Sequence, residues 1–129
     1  MNSKINTYKD LIVWQKSVAL VTTIYSLTKS FPQDEKFGIV SQINRASVSI
    51  PSNIAEGWGR ESSKNYLQFL RISRGSLMET ETLLEISKNL KFINDTEFTS
   101  VSNDIEEVSK ILQGLIKSVQ QKINLTQAV

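Results

Sequence analysis

The sequence predicts an all-α protein: an antiparallel up-down four-helix bundle forming a single domain over residues 1–129. Three observations carry that expectation. Apolar residues recur in steps of three and four along four long stretches. The connections between those stretches are short, which suits neighbouring antiparallel helices. No apolar–polar alternation suggests a strand.

The first segment runs from about residue 10 to 29. Leu11, Trp14, Val18, Val21, Tyr25 and Thr28 make one seam at helical spacing, and Val13, Leu20, Ile24 and Leu27 make a second beside it. A stripe that wide needs two partners to cover it. Ser30-Phe31-Pro32 ends the segment, because the residue before proline avoids the helical region. The second segment spans about 34–58, with Asp34 and Glu35 placed for the positive end of the helix dipole. Ile39, Ile43, Ala46, Ile50 and Ile54 mark its buried side. Pro51 lies inside it and removes a backbone donor opposite the Ser47 carbonyl, so a kink is expected in one continuous helix. Gly57 and Gly59 are placed for a C-terminal stop.

The third segment spans about 62–89 and starts at Ser62 or Ser63, both suited to capping. Leu70, Leu77 and Leu84 repeat every seven residues, beside a mostly small seam of Phe69, Ser73, Ser76, Thr80, Leu83 and Ser87. Gly75 in mid-helix suggests a close helix–helix approach. The fourth segment spans about 95–122, opened by Asn94 with Glu97 in a capping-box pattern. Phe98, Val101, Ile105, Val108, Leu112, Leu115 and Val119 repeat without a break.

Composition narrows the chemistry. The chain has no Cys and no His, which excludes disulfides, thiolate catalysis, the usual zinc and haem ligands and Ser-His-Asp catalysis. The polar start and the absence of a long apolar run give an expectation of a cytoplasmic protein with no membrane partner. Net charge is only +2, yet residues 36–74 carry +4 and hold all four arginines, while residues 75–107 carry −6. Arg45, Arg60, Lys64, Arg71 and Arg74 are therefore the candidate nucleic-acid-binding residues, placed to track phosphates with little regard to sequence. Trp58 beside Arg60 has the chemistry to stack on a base, and equally to plug one end of the bundle. Arg60 is also spaced to pair with Glu56. A solvated outer face accounts for the same charges. So does a head-to-tail contact in which the basic half of the third helix in one subunit meets the acidic half in the next.

Gln42, Arg45, Ser49, Asn53 and Glu56 form a polar stripe on the second helix. Read as an enzyme site, Glu56 is the acid or base and Arg45 the anion holder. Read structurally, the stripe satisfies the backbone around Pro51 and ties the helix to a neighbour. Nothing in the spacing of Glu56, Glu79, Glu81 and Glu85 calls for a metal, and no cofactor is expected.

Ser41 to Arg60 reads SQINRASVSIPSNIAEGWGR. It resembles the signature of the four-helix bundle family of 23S rRNA intervening-sequence proteins, also called S23 ribosomal proteins. Tyr8, Leu11, Val13 and Trp14, the Phe31-Pro32 turn with Glu35 and Gly38, and Phe69-Leu70 with Gly75-Ser76-Leu77 and Glu79 fit the same frame. The resemblance covers about residues 8–93 by motif and the fourth helix by pattern. It marks Gln42, Pro51, Asn53, Glu56, Gly57 and Gly59 as motif residues, with Arg45 and Arg60. Asn44 departs from it, since a second basic residue usually stands there. The resemblance implies a non-enzymatic accessory protein. A related branch, the accessory variability determinant of diversity-generating retroelements, is pentameric and binds nucleic acid and a reverse transcriptase. The expected partners are therefore other copies of the chain in a homopentamer, RNA or DNA, and a reverse transcriptase where the gene lies in a retroelement. The competing expectation is a protein-interaction scaffold whose charges set assembly.

Overall fold

A computed structural model describes residues 4–127. Among them are four long helices: α1 (Ile12–Thr28), α2 (Ile39–Trp58), α3 (Ser63–Asn89) and α4 (Asp95–Gln127), with short 3-10 turns at Tyr8–Asp10 and Gln33–Glu35. α1 packs on α2 and α4, and α3 packs on α2 and α4. The backbones of the diagonal pairs do not approach each other, so the helices follow the chain around a four-cornered bundle.

Two helices begin later than the sequence suggests. α1 is preceded by a separate turn, closed by a capping box in which Thr7 accepts from the Lys9 N–H and Asp10 accepts from the Asn6 and Thr7 N–H groups. Those two bonds hold the Asp10 carboxyl below its ordinary pKa. α2 begins at Ile39, not at residue 34, because Gly38 (φ −103°, ψ −114°) is not helical. Asp34 and Glu35 therefore sit in the preceding turn. The predicted caps hold: the Ser62 Oγ accepts from the Asn65 N–H at 3.1 Å. Asn94 and Glu97 exchange bonds of 2.7 and 3.0 Å. α4 runs on to Gln127, past the expected end near 122.

The core is a continuous apolar column. Val13, Leu20 and Ile24 come from α1, Ile43, Ile50 and Ile54 from α2, Leu70, Leu77 and Leu84 from α3, and Val101 through Ile123 from α4. On α1 the buried stripe is the second one, Val13–Leu20–Ile24 with Ser17 and Thr28. Val18 and Tyr25 of the first seam remain exposed. Late in α4, Ile116 and Ile123, which the sequence places beside the main repeat, are buried, and Leu115 of the repeat is half-buried. A strict 3-4 repeat drifts against a helix of 3.6 residues per turn, and the seam moves over by one position to stay inward.

α2 is continuous through Pro51, which is buried. Gly57 does not stop the helix; it lies within it. A Cβ there would sit 2.7 Å from the Phe69 Cβ and 3.0 Å from the Tyr66 ring, so α2 and α3 meet closely at this point. Gly75, by contrast, has nothing within 4 Å of a Cβ position, and the close approach expected there is absent within the chain. Gly59 caps α2 in right-handed geometry (φ −76°). The left-handed residue of the fold is Lys91 (φ 64°), just after α3. There the Phe92 N–H bonds the Ser87 carbonyl and the Lys91 N–H bonds the Lys88 carbonyl, both at 2.9 Å, the Schellman pattern.

Candidate nucleic-acid interface

The basic residues divide between two faces of the bundle. Lys64, Arg71 and Arg74 follow each other at helical spacing along α3 and look toward α4, as the bond from Arg71 Nη2 to Gln120 Oε1 (3.1 Å) establishes. With that register, Lys117 of α4 stands level with Arg74, so a fourth cation joins the row. Sequence reasoning missed Lys117 because it lies far along the chain, in a segment whose periodicity drew attention to its apolar side. Arg60, in the α2–α3 turn, lies near the Lys64 end. Its guanidinium stacks on the Phe69 ring, 4.7 Å from the centroid. It does not pair with Glu56: the ion pairs among the described residues are Lys16–Glu107 (3.2 Å) and Lys110–Glu106 (3.3 Å). Among the described residues none of the four arginines has a carboxylate partner.

Arg45 stands apart. It is about 22 Å along α2 from Arg60 at 1.5 Å per residue, and its Nη2 reaches only the Ser41 Oγ, at 3.4 Å. The same arithmetic separates Arg45 from Glu56 by about 16 Å, too far for the two to act on one substrate atom. Glu56 and Gln42 are exposed. The remaining members of the polar stripe, Ser49 and Asn53, bond each other and reach α3. Asn53 Nδ2 donates to the Ser49 carbonyl and Oγ, both at 2.8 Å, and Ser76 Oγ donates to Ser49 Oγ at 2.8 Å. One turn on, buried Ser73 donates to the Ile50 carbonyl at 2.9 Å. The stripe thus ties α2 to α3 beside Pro51.

The motif positions have structural duties. Gly57 permits the close contact with Tyr66 and Phe69, Arg60 covers that contact, and Asn44 is bound across α1–α2 through Thr28 Oγ1 (3.2 Å). Trp58 shares with Asn44 and Pro51 the side of α2 turned to α1 and is half-buried. Burial pushes the Tyr66 phenol up to about 12. Among the described residues no three acidic side chains converge as a metal site would need, and no helix is long and apolar enough to cross a membrane. The open groove that Arg45 helps to line, with Tyr25, Phe37 and Val48, does not include Glu56.

Comparison with known proteins agrees with this architecture. The family described as 23S rRNA-intervening sequence protein matches residues 9–114. Among solved structures, one described as a protein with unknown function from the S23 ribosomal protein family of Bacteroides thetaiotaomicron superposes with a TM-score of 0.74 at 28% identity. The match covers 82% of this chain and 99% of that one. The comparison with curated proteins gives no match.

Proposed function

This chain belongs to the 23S rRNA-intervening sequence protein family, and from that premise we propose that it is a non-enzymatic, cytoplasmic accessory protein that binds RNA or DNA through phosphates. The row Lys64, Arg71, Arg74 and Lys117, with Arg60 at its end, forms the contact surface; Arg45 contributes from another face or not at all. The observation that carries this reading is that no arginine has a carboxylate partner among the described residues. An unpaired surface guanidinium is free to take a phosphate in bidentate geometry. The protein self-associates, as a homopentamer in the reading that the family resemblance favours, and each added copy multiplies the cationic rows. A reverse transcriptase is a partner where the gene sits in a retroelement.

The test is binding of a labelled rRNA fragment as salt rises. Affinity falls steeply with salt, since each phosphate contact releases counterions. Arg71→Glu with Arg74→Glu lowers affinity at least tenfold in low salt while the helical circular dichroism stays unchanged. Binding that ignores both salt and the reversals refutes the reading. A second reading, a scaffold without a nucleic-acid role, draws on the apolar side chains left exposed on α1 and α3. It predicts no binding at low salt, with the charge reversals breaking the oligomer; light scattering on a sizing column separates the two.

A further inference from the structure

α3 and α4 change sign at the same level. The Arg71–Gln120 bond sets the register of this antiparallel pair and puts Met78 level with Gln113. On one side of that level lie Ser63 to Met78 of α3 and the end of α4. From there and from Val108 to Gln127 come Lys64, Arg71, Arg74, Lys110, Lys117 and Lys122, and no acidic residue. On the other side, residues 79–107 carry eight acidic residues against Lys88 and Lys91. Lys110 is paired with Glu106, and Lys122 stands about 200° round the helix from Gln120. The row that remains is Lys64, Arg71, Arg74 and Lys117. It spans about 15 Å along α3, with Lys117 one helix spacing, about 8–10 Å, to the side.

The row has no ring beside it on which a base could stack. The aromatic residues of α3 are Tyr66 and Phe69. Both are turned to α2, where they close on Gly57, and Arg60 covers the Phe69 ring. The aromatic residue of α4 is Phe98, at the acidic end and under the Lys88 ammonium at 4.6 Å. Single strands are held by cations together with exposed rings, and here there are cations alone. α3 is flanked by α2 and α4, so it presents an edge and does not enter a major groove to read bases. What the face offers is a rigid charged strip. A duplex matches it, with one charge per about 1.7 Å of axis and a backbone already stiff on this length scale. A flexible strand has to be ordered on the strip with no stacking to offset that cost.

We propose that the ligand of this row is a nucleic-acid duplex, of RNA or of DNA, gripped by its phosphates alone. The duplex crosses α3 and α4 at their Lys64 end and does not lie along them. α3 is about 40 Å long, and a duplex laid along it would carry its phosphates over Glu81 and Glu85, which follow Arg74 on the same side of the helix. The inference rests on the nucleic-acid reading above and names the form of the ligand that reading leaves open.

The probes are a labelled RNA duplex of about twelve base pairs, a little over one helical turn, its DNA counterpart and each separate strand. The full chain is titrated into each at low salt and followed by fluorescence anisotropy. Both duplexes bind at least tenfold tighter than any strand. The slope of log affinity against log salt lies between about −3.5 and −4.5, for four phosphate contacts or five with Arg60. Lys117→Gln, at an exposed position, flattens that slope by about 0.9. Lys36→Glu, at the opposite end of the bundle, leaves duplex affinity within about twofold. Circular dichroism is unchanged in both variants. Binding of no probe overturns the nucleic-acid reading and this inference with it. Strands that bind within tenfold of the duplexes overturn the duplex assignment and leave that reading standing. A slope that Lys117→Gln leaves unchanged, or a tenfold preference for one sugar, overturns the grip by phosphates on this row.

Discussion

Gly57 and Gly75 sit in neighbouring helices and have opposite reasons to exist. A methyl group at position 57 meets the Phe69 Cβ at 2.7 Å, a contact that needs backbone movement to relieve. Gly57→Ala is therefore expected to cost about 1–3 kcal/mol, as overpacking does. Gly75→Ala meets nothing and replaces a poor helix former, so it is expected to gain up to about 1 kcal/mol. Thermal melts of the pair check both signs. The sequence pointed to Gly75 as the close approach because it lies in mid-helix, whereas Gly57, near a helix end, read as a stop. Proximity in the fold is a property of two helices, and spacing along one does not report it. Tyr66, beside Gly57, supplies a pH test. Its raised pKa of about 12, against 10.0 for the ordinary phenol, means that the unfolded chain loses this proton first as pH climbs. The stabilisation is whole below about pH 10 and disappears between about 10 and 12. Tyr66→Phe is expected to flatten the fall in melting temperature across that window relative to the parent protein.

At the scale of the helix, capping was legible and termination was not. Asn94 with Glu97 and Ser62 with the Asn65 N–H are short-range chemistry, fixed by residues three apart, and both formed. The end of α3 carries no glycine, so nothing in the sequence marked Lys91 as left-handed. A lysine in that conformation carries strain of about 1–2 kcal/mol. It is held there by Phe92, whose ring packs on Phe31 at 5.4 Å. Lys91→Gly is expected to raise stability by about 1 kcal/mol in denaturant titration, with the slope unchanged. The first helix teaches a related lesson. It has two apolar seams of similar quality, and periodicity ranks neither. The choice fell to Val13, Leu20 and Ile24 because α4 and α2 together cover that side.

For the molecule as a whole, the fold class, the helix order and most of the core followed from spacing alone. The basic surface followed only in part. Lys64, Arg71 and Arg74 share a face because they share a helix, while Lys117 joins and Arg45 leaves because of how helices pair in space. The buried hydroxyls carry a further consequence. Ser17, Ser47, Thr80 and Ser87 each donate to a carbonyl three or four residues earlier in their own helix. Such groups keep their partners whether or not a neighbouring helix is present. The buried hydroxyl that reaches across a seam without such a local partner is Ser73, and it joins α3 to α2. Native-state hydrogen exchange is expected to be slowest in the central turns of α2 and α3 and faster in α1 and α4; equal protection in all four would contradict this. α4 buries no polar side chain of its own: Val101 through Ile123 hold it to α1 and α3 by apolar contact alone. Water reaching that seam would meet only hydrocarbon on the α4 side, so the attachment of this helix is set by the strength of the hydrophobic effect and weakens on cooling.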